Sequence, residues 1–169
     1  MNRCIAIVVV LFFSLGLSAC SSSVFQATPT PTIVSIGYVT DFPLASVTTK
    51  ELPVTFNDPD PAAIGSETPG VITQVPVATL SSITIFVVRD TTGNFLALYS
   101  RDPYRGCSIS WVEANQQFED PCHGSQYSRT GVWLRGPSPR NLDSFGVIIS
   151  APGEVMVDIG KYQMGQPHP

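Results

Sequence analysis

Charged residues are scarce in this chain. Its 169 residues include 9 Lys and Arg against 13 Asp and Glu, which gives a formal net charge of −4. No run of basic residues occurs, so the sequence lacks the electrostatic footprint of a nucleic-acid-binding protein. Histidine is rarer still, with two residues, and there are four cysteines. Because transition-metal sites draw mainly on these two residue types, the sequence can build few such sites.

A convincing amphipathic helix is also missing after the N-terminal region. The chain is instead rich in β-branched residues and carries 15 Pro and 13 Gly, a composition typical of β-structure with many turns. Strand patterns occur at 83–90 and 95–100, and a further hairpin pattern at 145–160. For residues 50–77, which are rich in Pro and Gly, we predict short edge strands around a long exposed loop. We predict an all-β fold in which strands flank a loop-rich excursion from about 101 to 144.

No apolar run reaches the roughly 20 residues that a membrane-spanning helix needs. The run "IAIVVVLFFSLGL" that follows Cys4 is shorter, with the basic Arg3 before it and small residues after it. This is the pattern of a signal peptide, which we place at residues 1–19. An anchor helix that is retained in the mature protein is the alternative.

The end of this leader, Leu17-Ser18-Ala19-Cys20, resembles the bacterial lipobox. The resemblance implies cleavage before Cys20 and a diacylglycerol group on its sulfur, with an ordinary secretory signal as the alternative. Residues 20–32, rich in Ser, Thr and Pro, are then predicted to form an extended tether. We therefore expect a lipid-anchored protein on the extracytoplasmic face of a bacterial membrane, either periplasmic or at the cell surface.

The cysteines can be assigned by counting. Cys4 leaves with the leader and Cys20 takes the lipid, so Cys107 and Cys122 remain in a compartment that permits disulfides. We predict that they form one bridge, closing a loop of roughly 16 residues that is worth about 3 kcal/mol. A pair of metal thiolates is the alternative.

Three stretches together resemble a known family. They are "VVRDTTGNFLALYSRDPYRGCSISW", "PCHGSQYSRTGVWLRGPSPRNLDSF" and "GEVMVD", and they look like a Rieske iron–sulfur domain in order and spacing. The likeness runs from about Ile83 to Asp158 and, more faintly, from Ile36. It implies a Rieske-like antiparallel β-sandwich base with a small inserted subdomain at about 101–144. The domain then spans 33–163, and 164–169 form a flexible tail.

The same resemblance implies which residue stands at each position where the family has a cluster ligand. The family carries Cys-Thr-His-Leu-Gly-Cys and Cys-Pro-Cys-His-Gly-Ser, where this chain has "DPYRGC" at 102–107 and "DPCHGS" at 120–125. Cys107 and Cys122 match the cysteines that form a bridge in the family and not the ligands. Four residues stand at the cluster-ligand positions, of which only the last is retained: Asp102, Tyr104, Asp120 and His123. Five more match the shell around the cluster: Gly124, Ser125, Tyr127, Gly136 and Pro137.

These replacements predict loss of the [2Fe–2S] cluster, so we expect no cofactor and no metal. Clusters of this type need thiolate ligands, and the remaining histidine, His168, lies in the tail. Two alternatives stay open: a cluster with unusual ligation, and a mononuclear Fe, Mn or Zn site in a stand-alone lipoprotein. No nucleophile or oxyanion hole is apparent, so we expect no enzymatic activity. The predicted function is that of a non-redox accessory or docking subunit of a membrane quinol-oxidising complex, with no nucleic-acid partner.

Overall fold

The computed structural model of the chain describes residues 32–59 and 79–169. The predicted signal peptide 1–19, the predicted lipid acceptor Cys20, the tether up to residue 31 and most of the predicted exposed loop, residues 60–78, lie outside this part. Within the described residues no helix has both the length and the apolar character to cross a membrane.

Strands make up most of the regular structure that the described residues form. They are β1 (Ile33–Tyr38), β2 (Ser46–Leu52), β3 (Phe56–Asn57), β4 (Thr79–Leu80), β5 (Ile83–Arg89), β6 (Phe95–Tyr99), β7 (Ser110–Val112), β8 (Gln117–Glu119), β9 (Gln126–Ser128), β10 (Trp133–Arg135), β11 (Ser144–Ile149) and β12 (Glu154–Gln163). A single 3-10 turn, Val39–Asp41, follows β1. The prediction of an all-β fold is therefore confirmed.

The base of the molecule is a six-stranded sheet in the order β1-β12-β11-β6-β5-β2, with every neighbouring pair antiparallel. Alternate residues of its strands point to one face and enclose a single core. The fully buried members of that core include Ile85, Val87, Val155 and Val157. Strands β3 and β4 pair with each other, and Phe56 of β3 adds its ring to the same core.

The inserted subdomain is a four-stranded sheet in the order β10-β9-β8-β7, and it packs against the other face of β5 and β6. Phe86 and Leu98 point to this face and meet Phe118 and Tyr127, both of which are completely buried. The rings of Phe86 and Phe118 lie 4.7 Å apart. Strand β5 is thus buried on both faces, which is why its sequence reads as a continuous apolar run.

Strands in both sheets differ from the prediction. Strand β2 pairs with β5 along all seven of its residues, whereas we predicted only short edge strands from residue 50 onward. Its sequence "SVTTKEL" hides this because an edge strand presents polar residues to solvent. The short strands β8, β9 and β10 were also missed, because three residues are too few to show a period.

The turn between β5 and β6 leads to a pH prediction. The Asp90 carboxylate accepts hydrogen bonds from the backbone N–H groups and side chains of Thr92 and Asn94. These bonds, that from the Thr92 side chain first, lower the pKa of Asp90 from 3.8 to about 2. Since the folded pKa is the lower one, the turn's contribution to stability is present above pH 3.8 and is lost as the pH falls through about 2.

We expect a carboxyl-carbon NMR titration to show Asp90 ionising near pH 2. The Thr92→Ala and Asn94→Ala variants should each raise that pKa, because each removes a side-chain donor. An Asp90 that titrates near 3.8 in the unaltered protein would contradict the hydrogen-bonding pattern.

Candidate functional site

Two six-residue loops form the tip of the inserted subdomain. The first loop, 102–107, joins β6 to β7, and the second loop, 120–125, joins β8 to β9. Both begin with Asp-Pro and have glycine at their fifth position. In each, the first residue's N–H donates to the carbonyl of the sixth residue and the fifth residue's N–H donates to the carbonyl of the first, at 2.8 to 3.0 Å. The two loops are therefore local copies of one backbone turn.

An aspartate carboxylate caps each loop from inside. Asp102 accepts the N–H of Tyr104 at 3.2 Å. Asp120 accepts the N–H groups of Cys122 at 2.8 Å and His123 at 3.0 Å. Glycine closes each turn with a positive φ, which is 68° at Gly106 and 81° at Gly124. The Asp-Pro-x-x-Gly sequence thus supplies the groups that fold each loop locally.

A disulfide joins the two loops. It links Cys107, the last residue of the first loop, to Cys122 in the second, with a Cα–Cα distance of 6.3 Å. Cys122 is exposed and Cys107 half-buried. Because each loop contributes one half of the bridge, the two loops are tied together, and donor atoms of their capping aspartates lie within 4.8 Å of each other.

Beneath the bridge lies a buried polar cluster. Asp102, Ser125 and Tyr127 are completely buried, and Asp120 is nearly so. The Tyr127 hydroxyl donates a short hydrogen bond to Oδ1 of Asp102. Burial, reinforced by the charge of Asp120, raises the pKa of Asp102 against the lowering effect of this bond. Burial first, and then the bond to Asp102, raises the pKa of Tyr127, so the tyrosine remains the proton donor.

His123 forms the solvent edge of this cluster. Its Nδ1 lies 3.1 Å from Oδ2 of Asp120, and its side chain is 31% exposed. The Tyr104 ring packs edge-on against the imidazole at 5.4 Å, and the Arg105 guanidinium lies over the Tyr104 ring. Donor atoms of Asp102, Asp120 and His123 all lie within 4.8 Å of one another. Tyr104 joins the group by ring contact and not by a polar contact from its hydroxyl group.

The 136–142 loop packs its backbone directly on the second loop. A Cβ on Gly136 would lie 2.5 Å from the Cα of Ser125 and 2.8 Å from the carbonyl oxygen of Gly124. Gly136 also has a φ of +102°. Pro137 follows it at the exposed surface. Only glycine therefore allows this loop to approach the second loop so closely.

The C-terminal residues 164–169, for which we predicted a flexible tail, contact the same 136–142 loop. The His168 ring stacks on Trp133 with ring centroids 3.7 Å apart, and its Nε2 lies 2.5 Å from the carbonyl oxygen of Ser138. Gly165 donates its N–H to Asp143 at 2.8 Å. This contact could not be predicted from the sequence, because a lone histidine near the end of the chain has no periodic pattern around it.

Two glycine-to-alanine substitutions distinguish the cost of disrupted close packing from the cost of an unfavourable backbone conformation. Gly124 and Gly136 both have positive φ, but a Cβ on Gly124 would meet nothing within 4 Å. Gly124→Ala should cost about 1 kcal/mol, since alanine disfavours a positive φ. Gly136→Ala should cost about 1 to 2 kcal/mol more, because it must also push apart two backbone segments. Urea unfolding measures both values, and equal losses would contradict the close approach of the two loops.

The structure brings most of the predicted site residues to one tip. Asp102, Asp120 and His123 share one cluster, and Tyr104 borders it. The shell residues surround them in the two loops, β9 and the 136–142 loop: Gly124, Ser125, Tyr127, Gly136 and Pro137. Trp133 and His168 were not predicted as neighbours of this tip.

A comparison with known protein families finds a match that includes the tip. The family described as the Rieske [2Fe-2S] domain matches residues 67–146. That range includes both loops, the four-stranded sheet and the 136–142 loop.

The curated relatives are subunits of one kind of complex. The chloroplastic cytochrome b6-f complex iron-sulfur subunit of Chlamydomonas reinhardtii is 40% identical over 58 residues, which are 34% of this chain and 28% of that protein. Cytochrome b6-f complex iron-sulfur subunit 1 of a Nostoc species is 51% identical over 37 residues, or 22% of this chain and 21% of that protein. The chain thus spans about a quarter of the length of these relatives.

Among solved structures, the chain is similar to the cyanobacterial plasma membrane Rieske protein of Synechocystis PCC 6803. Sequence identity is 31%, the TM-score is 0.40, and the likeness covers 44% of this chain and 75% of that one. The family match takes in every element that forms the tip, and the curated iron-sulfur subunits share at least 40% identity where they align. The chain therefore belongs to the Rieske [2Fe-2S] domain family.

Proposed function

We propose that this protein carries no [2Fe–2S] cluster and serves as a non-catalytic accessory or docking subunit of a membrane electron-transfer complex that oxidises quinol. One observation carries the proposal. Both cysteines of the tip are joined to each other, and the residues that cap the two loops are aspartates. The tip therefore keeps the bridge of its family, and it has the carboxylates of Asp102 and Asp120 at the two positions where the family has ligand thiolates.

The donor set does not fit the family's cluster. A Rieske centre is held by two cysteine thiolates and two histidines. In the described part of the chain, Cys107 and Cys122 are bonded to each other. Of the two histidines, only His123 lies in one of the two tip loops. Carboxylate oxygens are hard ligands and replace thiolates poorly at iron–sulfur clusters. Breaking the bridge to free the thiolates would also remove the link between the loops.

We assign the site residues accordingly. The former ligand positions are Asp102, Tyr104, Asp120 and His123, and the bridge cysteines are Cys107 and Cys122. The residues that surrounded the ancestral cluster are retained as packing for the loops: Gly124, Ser125, Tyr127, Gly136 and Pro137. The close approach of Gly136 to the second loop supports this assignment, because it holds the loop surface in one shape.

The exposed side of this tip is the proposed docking surface. It consists of Pro121 to Gly124 of the second loop together with Gly136 and Pro137, all of which are exposed. A disulfide, two capped loops and a close backbone contact keep the surface rigid, and rigidity lowers the entropy lost on binding. The kinship with iron-sulfur subunits of cytochrome b6-f complexes supports a membrane complex as the partner.

Anchoring is proposed through the N-terminal region. In this proposal, residues 1–19 are removed, Cys20 carries the lipid, and the tether that follows holds the domain at the extracytoplasmic surface. A Cys20→Ser variant should move from the membrane fraction to the soluble fraction. Mass spectrometry of the N-terminal peptide checks the lipid directly, and an unmodified Cys20 in the membrane-bound protein would refute it.

The cluster is tested on the full chain purified from membranes without reductant. We expect neither acid-labile sulfide nor a Rieske-type EPR signal after chemical reduction. The matched control is the triple variant Asp102→Cys, Tyr104→His, Asp120→Cys, which restores thiol and imidazole groups where the family has them. Uptake of iron and sulfide by the control alone would support the proposal, whereas two irons with sulfide in the unaltered chain would overturn it.

The docking role is tested by crosslinking in native membranes. A photo-crosslinker at exposed Pro137 should capture a subunit of a respiratory or photosynthetic complex. The same crosslinker at Thr92, in the turn between β5 and β6, serves as the control because it lies outside the tip. Equal capture from both positions, or capture of this protein alone, would contradict docking through the tip.

A further inference from the structure

The buried aspartates of this protein fall into two groups. Five are buried in the described part of the chain, and three of these pair with a cation: Asp58 with Arg101 at 3.5 Å, Asp143 with Arg140 at 2.9 Å, and Asp158 with Lys161 at 3.8 Å. Asp102 and Asp120 have no lysine or arginine partner among those residues, and their exposed fractions are 0% and 3%. Burying two carboxylates is costly unless positive charge compensates them, and among the described residues the imidazole of His123, 3.1 Å from Asp120, is the only basic group at ion-pair distance from either one.

The positions of the donor atoms suit a small cation. Asp102 and Asp120 each offer a carboxylate oxygen and His123 offers Nδ1, with all three atoms within 4.8 Å of one another. Ligand atoms around a tetrahedral zinc ion lie about 3.4 Å apart, given metal–ligand distances near 2.1 Å. The 3.1 Å between His123 Nδ1 and Asp120 Oδ2 already matches that spacing. Binding would therefore require the first loop to close by little more than about 1 Å.

The outer shell of such a site is already formed. The Tyr127 hydroxyl and the Tyr104 N–H orient the Asp102 carboxylate. The N–H groups of Cys122 and His123 orient that of Asp120. A carboxylate has about four lone-pair positions, so each still has one to offer. Hydrogen-bonded partners of this kind fix ligand orientation at metal sites.

A buried hydroxyl lies beside the Asp102 carboxyl. Ser125 is completely buried, and its Oγ meets no partner at hydrogen-bond geometry. It lies close enough to the Asp102 carboxyl to help lower its pKa. An unsatisfied buried hydroxyl is uncommon and calls for an explanation such as a bound ion or water. The hydroxyl is thus a further buried polar group at this place, in addition to the three donor atoms.

We propose that Asp102, Asp120 and His123 bind one divalent transition-metal ion, with Zn²⁺ as the representative ion and a fourth position open to solvent beside His123. The inference rests on the proposed absence of a [2Fe–2S] cluster. It differs from the family's centre because one ion is held by oxygen and imidazole nitrogen, whereas thiolates and sulfide take no part. Two carboxylates neutralise a dication, which relieves the repulsion between them.

The experiment uses the full chain, purified from membranes without reductant and stripped with a chelator. Zn²⁺ is added in isothermal titration calorimetry, and Co²⁺ serves as the spectroscopic probe. We expect one ion per chain and visible d–d absorption from Co²⁺. His123→Gln should weaken binding by more than about 100-fold, beyond what outer-shell changes cause. His123 lies at the surface, so this variant should fold, and Asp120→Asn is the second ligand variant.

The matched control is His168→Gln, which removes the other histidine and should leave the affinity for Zn²⁺ unchanged. Equal weakening by both histidine variants, or no binding by the unaltered chain, would overturn the inference. Acid-labile sulfide in the protein as isolated would instead overturn the proposed function. Absence of both sulfide and Zn²⁺ binding would leave the proposed function standing and remove the metal site alone.

Discussion

Replacing Cys107 and Cys122 together with serine is expected to lower the free energy of unfolding by about 3 kcal/mol, because the bridge restricts the unfolded chain across a separation of 15 residues. The double variant should still fold, since each loop keeps its own backbone hydrogen bonds and its capping aspartate. Urea unfolding of the unaltered and variant chains measures the difference.

Reductant provides the control for this prediction. A thiol reductant should destabilise the unaltered chain by a similar amount and leave the double serine variant unchanged. Alkylation of the denatured, unreduced chain, followed by peptide mass spectrometry, should find Cys107 and Cys122 unmodified. Alkylation of both residues would show that the thiols are free and would contradict the bridge.

Tyr127→Phe is expected to cost about 2 to 3 kcal/mol, because it leaves the completely buried carboxyl of Asp102 without its hydroxyl partner. The phenyl ring fills the same volume in the subdomain core, so packing against Phe118 is preserved. The loss is therefore electrostatic in origin. Urea unfolding in the presence of a chelator measures it without any contribution from bound metal.

Tyr162→Phe is the matched comparison. Its hydroxyl also donates to an aspartate, Asp143, at 2.6 Å. Asp143 keeps the Arg140 guanidinium at 2.9 Å and the Gly165 N–H when that bond is lost. The expected cost is about 1 kcal/mol. Similar costs for the two variants would contradict the view that Asp102 depends on Tyr127.

Under the proposed absence of a cluster, the tip needs another source of order. Here the aspartates cap the loops through N–H groups of their own turns, and the bridge ties one loop to the other. Such a tip can present a fixed surface to a partner or hold the divalent transition-metal ion that we inferred. These two uses are compatible, because only His123 of the three donor residues reaches the surface.

Much of the fold could be predicted from local sequence. The apolar runs of β5 and β6 and the alternation of apolar and polar residues in β12 indicated strands. Such a local pattern is usually sufficient to predict a buried strand. The repeated Asp-Pro-x-x-Gly pattern encodes the two turns, because aspartate and glycine act on their own backbone. Cysteine counting left Cys107 and Cys122 as the pair that the structure joins.

The rest depended on contacts between residues far apart in the chain. Strand β2 owes its full length to pairing with β5, which its own polar residues do not reveal. The stacking of His168 on Trp133 and the close approach of Gly136 to Ser125 each join separate segments.

Composition, strand periodicity and motifs were sufficient to predict the all-β class, the family and the identity of the residues at the tip. Only the tertiary structure decided that Asp102 and Asp120 are buried side by side without an arginine or lysine among the described residues. The physical reason is that burial and charge pairing depend on which loops meet, and the bridge and the 136–142 loop bring them together.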